Sequence, residues 1–260
     1  MTQYDAIGEL YERAKHLPVG LAERGTLLAA LPDPAGKSVL DVGAGTGFYA
    51  RLFKQLGAVR VIGVDASPEM VAYARLVEER APFGITYQEH DAASLPRLGE
   101  FDVVTAVWLL GYAPGEAALD DMLARLVANL ADGGTLVALT PNPELDWDAL
   151  DIYPRYGLSA TKTERSLGRQ GYAVHIDGEP PIDFVGFAWP PGVLESAFAR
   201  AGLTDVRRYP VTIPDDALTE HGADYWAALV SNPTFAVFTA AKLPSGWPGA
   251  TEVPPSDRTP

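Results

Sequence analysis

Three glycines at alternate positions, Gly43, Gly45 and Gly47, follow Asp41 in the stretch VLDVGAGTG at 39–47. Glycine at such places lets the backbone approach a ligand closely and adopt turns that a Cβ would forbid. The spacing is GxGxG, not the GxGxxG of a dinucleotide-binding turn. A second acid, Asp65, closes the next apolar run, VRVIGVD at 59–65. An acid there can accept bonds from both hydroxyls of an unphosphorylated ribose, and it would repel a 2′-phosphate, so NADP fits poorly. The chemistry implied is the holding of a nucleoside-containing ligand without a phosphate clamp.

Other chemistries find less support. Cysteine is absent, which excludes disulfides, thiolate nucleophiles and zinc–sulfur centres. The four histidines, His16, His90, His175 and His221, are far apart in sequence, and no metal is expected. Acidic residues outnumber basic ones 34 to 20, a formal charge of −14, and the basic spots at 161–169 and 207–208 are short. Phosphate backbones repel that balance, so nucleic acid is not an expected partner. No window approaches the ~20 apolar residues of a membrane span, and residues 1–18 show no signal-peptide pattern. A cytoplasmic location and no membrane partner are expected.

The glycine run must be positioned by elements, and the chain supplies them in alternation. Apolar residues at helical spacing over 5–30 predict two helices broken at Pro18. SVLDVG at 38–43 reads as a buried strand, followed by a helix from about Gly47 to Leu56. VRVIGVD is a second strand, and Ser67 caps a helix with Pro68 at its first position. ITYQEHD (85–91) and FDVVTAVWLL (101–110) are the third and fourth strands. An amphipathic helix follows and is expected to stop at Gly133 and Gly134, and TLVALTPN is a fifth strand. After Thr140 the rhythm breaks into a segment rich in aromatics and proline (141–190), with a strand pair in GYAVHID and IDFVGFAWP. Helix, strand, helix (ALTEHGADYWAALVS) and strand then close the chain. The expectation is an α/β fold with a Rossmann-like doubly wound, seven-stranded, mostly parallel sheet and an aromatic-rich insertion between strands 5 and 6. One domain spans 1–243, with 1–36 as a helical cap and 141–190 as lid. The Pro- and Gly-rich 244–260 are expected to be disordered.

With these elements in place, VLDVGAGTG resembles motif I of the class I S-adenosylmethionine (SAM)-dependent methyltransferases, pattern (D/E)xGxGxG. Asp65 matches that family's ribose-binding acid, HDAASLP (90–96) its adenine loop, FDVVTAVWLL its motif IV, and LADGGTLVAL its fifth strand. The resemblance covers about 37–142. It implies SAM as cofactor and S-adenosylhomocysteine (SAH) as product. It also implies that Asp41, Gly43, Ala44, Gly45 and Gly47 form the methionine-side loop, that Asp65 and Ala66 meet the ribose, that Met70 borders the base behind Ser67, and that Asp91 and Ala92 lie at the adenine. Val107 then sits where strand 4 meets cofactor and acceptor.

The residues after strand 4 are VWLLGYA, not the (N/D/S)PP(Y/F) of enzymes that methylate exocyclic base amines or glutamine amides. Trp108, Leu109, Leu110 and Tyr112 suggest a flat, largely apolar small-molecule acceptor. Trp147, Tyr153, Tyr156, Tyr172, Phe184, Phe187 and Trp189 of the insertion are candidates to cover it. QYDAIGELYERAKHLP, FDVVTAVWLLGYA and YWAALVSNP are similar to segments of the toxoflavin-type enzymes that N-methylate azapteridine rings. That likeness implies a ring-nitrogen acceptor in natural-product biosynthesis, with Tyr4 and Tyr11 near the SAM carboxylate. Trp108, Tyr112, Tyr153 and His175 are the catalytic candidates, with Asp177 and His221 as further possible bases. The alternatives are C- or O-methylation of a similar scaffold, an NAD-dependent oxidoreductase, or a SAM-binding protein without catalysis. The expected assembly is a monomer or homodimer.

Overall fold

β1 (Ser38–Val42), the first strand, is buried on both sides, as its Val and Leu content requires. Val39 enters one hydrophobic cluster and Leu40 and Val42 the other, so one strand feeds two cores. The computed structural model describes residues 3–178 and 181–244, with side chains from residue 8 onward. The tail expected to be disordered falls almost wholly outside the described residues.

α1 (Gln3–Ala14) and α2 (Pro18–Ala30) precede β1, and Pro18 opens the second helix where its missing N–H costs nothing. Then come α3 (Phe48–Gln55), β2 (Arg60–Asp65), α4 (Pro68–Arg80), β3 (Ile85–Glu89), β4 (Phe101–Val107), α5 (Glu116–Ala128) and β5 (Leu130–Pro141). The insertion carries β6 (Leu158–Lys162), β7 (Gln170–Ile176) and β8 (Ile182–Ala188). α6 (Val193–Arg200), β9 (Leu203–Tyr209), α7 (Asp215–His221), α8 (Ala223–Ser231) and β10 (Phe235–Lys242) complete the chain. The main sheet has seven strands in the order β3-β2-β1-β4-β5-β10-β9. β1 pairs in parallel with β2 and β4, and β10 runs antiparallel to both its neighbours. The strand order reverses at β1, where β2 lies on one side and β4 on the other, and ligands of such sheets bind in the crevice beyond the carboxyl ends at that point.

Three local expectations are corrected. α5 ends at Ala128, not at the glycines, because the Asn129 side chain donates to the Arg125 and Pro96 carbonyls and accepts from Leu98 N. Gly133 and Gly134 lie inside β5, where the register with β4 shifts. The strand pair of the insertion is a three-stranded antiparallel sheet, β6-β7-β8, because LSATK pairs with β7 in spite of its short apolar content. The helix read through ALTEHGADYWAALVS is two helices, since Gly222 at φ 77° breaks it.

Candidate active site

The turn after β1 is built by its own backbone. Gly43 N and Ala44 N both donate to the Val64 carbonyl at 2.8 Å, so the loop leans over the end of β2. Gly43, Gly45 and Gly47 all have positive φ (78°, 54° and 82°), a conformation that costs an L-residue dearly. Their surroundings differ. A Cβ on Gly45 would meet nothing and points into open space, whereas one on Gly47 would meet the Tyr87 hydroxyl. Gly45 therefore presents bare backbone to a ligand, and Gly47 makes room for a supporting ring.

Two acids flank this loop. The Asp65 carboxylate accepts from Gly45 N (2.8 Å, Oδ2) and Ser67 N (2.9 Å, Oδ1), which fixes its plane and leaves each oxygen a further lone pair. Asp41 is buried at 1% exposure; its Oδ1 accepts from Thr105 Oγ1 at 2.6 Å, and its Oδ2 has no partner. Thr105 faces it because the two are register neighbours across β1 and β4. Burial raises the Asp41 carboxyl to about 6, against the Thr105 bond, with Asp65 raising it further and Lys15 lowering it.

The opposite wall comes from the end of β4. Trp108 takes a left-handed backbone, φ 56°, with its N–H donating to Leu139 O at 2.7 Å. A bulky residue in that region is strained, and such strain concentrates at functional sites. Its indole Nε1 donates to Glu23 Oε2 at 3.2 Å, and the same oxygen lies 3.6 Å from Lys15 Nζ. Leu109 stands against Gly43. The turn at Leu110–Tyr112 is held from the insertion: Arg169 Nη1 donates to Gly111 O and Trp189 Nε1 to Leu110 O, both at 2.9 Å. The Arg169 guanidinium lies 4.2 Å above the Phe187 ring.

Tyr112 is 77% exposed at this turn and acts electrostatically on both Tyr11 and Tyr172. Burial pushes up the Tyr11 hydroxyl, with Tyr112 and then Asp65 adding to it. Trp147 packs on Tyr172 at 5.4 Å. Glu12 ties α1 to the glycine loop, accepting from Thr46 Oγ1 at 2.5 Å and Arg51 Nη2 at 2.6 Å, while Arg51 Nη1 donates to Thr46 O at 2.7 Å.

The crevice thus gathers Tyr11, Asp41, Gly43, Ala44, Gly45, Gly47, Asp65, Val107, Trp108 and Tyr112. Ala66 and Met70 follow Asp65, and Met70 N donates to the Ser67 cap. Asp91 is exposed at the end of the neighbouring strand and accepts from Ala93 N, with Ala92 buried behind it. Tyr4 lies on α1, and its side chain is outside the described residues.

Two catalytic candidates are elsewhere. Tyr153 is fully buried, its hydroxyl donating to the Asn232 carbonyl, because the insertion packs on α8. Burial pushes that hydroxyl up to about 12, far from a base. His175 is exposed on the face of β7 opposite Tyr172, with Nδ1 2.8 Å from Asp183 Oδ1 and Nε2 3.8 Å from Asp177 Oδ1. Beside it runs a groove of about 640 Å³ against Leu10, Arg13 and Leu17. His221 stacks on Tyr225 at 4.5 Å. Of the insertion aromatics, Tyr156 stacks on Trp226 and so docks the insertion on α8, while Phe187 sits under Arg169 beside the Leu110–Tyr112 turn. Glu12, Lys15, Glu23, Arg51 and Thr105 were not legible as site residues. They converge from separate elements, and only the TG of the glycine motif hinted at Thr46. Among the described residues no three His, Cys, Asp or Glu side chains gather to hold a metal, and no helix is long and apolar enough to cross a membrane.

Residues 39–134 match the sequence model of a family described as methyltransferase domain. A ubiquinone biosynthesis O-methyltransferase from Xanthomonas axonopodis pv. citri is 34% identical over 117 residues, 44% of this chain and 47% of that protein. A ribosomal protein L11 methyltransferase from Burkholderia multivorans is 45% identical over 121 residues, 46% of this chain and 37% of that protein. The chain therefore matches half or less of the length of these relatives. Among solved structures, an S-adenosylmethionine-dependent methyltransferase from Mesorhizobium loti superposes with a TM-score of 0.61 at 23% identity, covering 85% of this chain and 98% of that one. The seven-stranded sheet is the fold of that enzyme, and the segment carrying the glycine loop is similar to a methyltransferase domain.

Proposed function

We propose that this protein is a SAM-dependent methyltransferase whose acceptor is a small planar metabolite, methylated at a ring nitrogen of an azapteridine-like heterocycle. The observation that carries the cofactor reading is the pairing of Gly45, open to a ligand, with Asp65, whose carboxylate is already oriented by Gly45 N and Ser67 N. A nucleoside with free ribose hydroxyls fits there. The two cations described beside the glycine loop are each paired with an acid, Arg51 with Glu12 and Lys15 with Glu23, so no cluster of free cations awaits a phosphate among the described residues there. Buried Asp41 with its unpartnered oxygen suits a cationic ligand. SAM, when bound, supplies a methyl group on a cationic sulfonium. The protein's part is orientation and exclusion of water.

The acceptor reading rests on Trp108, Leu109 and Tyr112 just after β4, and on the Tyr172–Trp147 pair of the insertion within electrostatic reach of Tyr112. They offer flat apolar surface and phenol hydroxyls but no carboxylate–histidine pair. Burial holds the Tyr172 hydroxyl above its ordinary range, so it donates and does not abstract. The acceptor must therefore lose its proton readily, as acidic ring N–H groups do. A phenol oxygen on a similar scaffold is the second reading, and Trp108 and Tyr112 would serve it equally.

Calorimetric titration with SAH and with NAD tests the cofactor. Micromolar SAH binding and no NAD binding is expected. Asp65→Ala should weaken SAH by about 2 kcal/mol, the scale of hydrogen bonds to a charged group. NAD binding without SAH binding would refute the reading.

A further inference from the structure

One carboxylate oxygen serves two donors at the β4 side of the crevice. Glu23 Oε2 accepts from the Trp108 indole at 3.2 Å and lies 3.6 Å from the Lys15 ammonium. Glu23 is buried at 7%, on a helix packed against the sheet, so it is not free to follow either partner. Lys15 comes from the turn after α1, lies 5.2 Å from the Tyr49 ring centroid, and is close enough to Asp41 to act on its carboxyl. We infer that Lys15 and Glu23 are a positioning pair: Lys15 takes the carboxylate of the cofactor's amino-acid end, and its departure from Glu23 commits that oxygen to Trp108. This rests on the SAM reading above.

The direction follows from the sheet. Asp65 ends β2, the glycine loop caps β1, and Trp108 ends β4, and these strands are adjacent in that order. A ligand whose ribose sits at Asp65 must lay its remaining length across β1 toward β4, where Lys15, Asp41 and Trp108 meet. The other cation near the loop, Arg51, already holds Glu12 and the Thr46 carbonyl and cannot turn without releasing α1. A carboxylate arriving at Lys15 exchanges one acid for another, so the lysine keeps a partner, and the buried Glu23 carboxylate is left with the indole N–H as its donor, a charge-assisted bond. Glu23 then has a single strong donor. Its bond to the indole tightens, and the acceptor wall is set only when the amino-acid end is occupied.

SAH and 5′-methylthioadenosine separate this from general cofactor binding, because the second shares the adenosine and thioether but lacks the amino-acid group. The chain has five tryptophans, so indole N–H signals can be resolved by NMR and Trp108 assigned with Trp108→Phe. The expected result is that SAH shifts the Trp108 indole signal and methylthioadenosine does not. Lys15→Met should lower SAH affinity ~10-fold, the scale of one charge-assisted bond, leave methylthioadenosine affinity unchanged and abolish the Trp108 response. Lys15→Arg should restore the preference for SAH, which a fold defect would not allow. The inference is overturned if methylthioadenosine moves Trp108 as SAH does, or if Lys15→Met weakens both nucleosides alike or neither. Wild-type protein that binds neither nucleoside would sink the SAM reading itself, and this one with it.

Discussion

A carboxylate placed where water cannot reach it carries its own pH signature. Asp41 has a folded-state carboxyl at about 6, raised chiefly by burial, against about 3.9 in an unfolded chain. Below about 4 both states are protonated and the group contributes nothing to the pH dependence. As pH rises from about 4 to about 6 the unfolded chain loses this proton first, so stability falls over that window, by on the order of 2–3 kcal/mol. Asp41→Asn should therefore melt at a higher temperature than wild type at pH 7.5 in the absence of ligand, with the difference shrinking to zero near pH 4. Asn keeps an acceptor for Thr105 Oγ1, which makes the comparison nearly isosteric. Thermal melts of both proteins from pH 4 to 8 check this. A constant gap at all pH values would show that folding does not move the Asp41 carboxyl from its unfolded value. Trp108 is the other residue whose cost points to function, since nothing in β4 itself requires a tryptophan at φ 56°.

Elements decide which aromatic rings face the crevice. The insertion does not drape freely over the site; it is bolted at two places. Tyr153 and Tyr156 donate to the Asn232 and Tyr225 carbonyls at α8, and Arg169 and Trp189 donate to the 110–112 turn. Tyr153→Phe should accordingly lower stability by about 1–3 kcal/mol, the cost of leaving a buried carbonyl without its donor, while SAH affinity stays within twofold of wild type. Denaturant titration and calorimetry on the same preparation separate the two. A large loss of SAH binding at unchanged stability would return Tyr153 to the active site. The clasp of Glu12 on Thr46 and Arg51 shows the same principle at the other edge, where α1 is fixed to the glycine loop by one carboxylate.

At the scale of the whole molecule the relevant quantity is the charge of −14. A long-range field of that sign attracts a cation such as SAM more than the net-neutral SAH, and salt screens the difference within a Debye length of ~10 Å at 0.1 M. Raising NaCl from about 0.05 to about 0.5 M should therefore weaken SAM binding more than SAH binding, by a factor of a few. Equal salt dependence would mean that only local contacts act on the sulfonium.

The sequence by itself determined the seven-stranded alternation, the glycine loop and Asp65, because strand period, glycine spacing and an acid at a strand end are local facts written in consecutive residues. It also put Trp108 and Tyr112 directly after the fourth strand, and β4 does end at Val107 before them. What it left open was decided by tertiary contact. Whether Tyr153 and His175 reach the crevice depends on which face of a strand or turn packs inward; one proved buried against α8 and the other lies on the outer face of β7. The gathering of Lys15, Glu23 and Trp108 around one oxygen joins residues that no spacing relates. Side-chain charge pairs of this kind form only after the sheet has fixed the distance between α2 and the end of β4. A linear pattern carries no record of that distance.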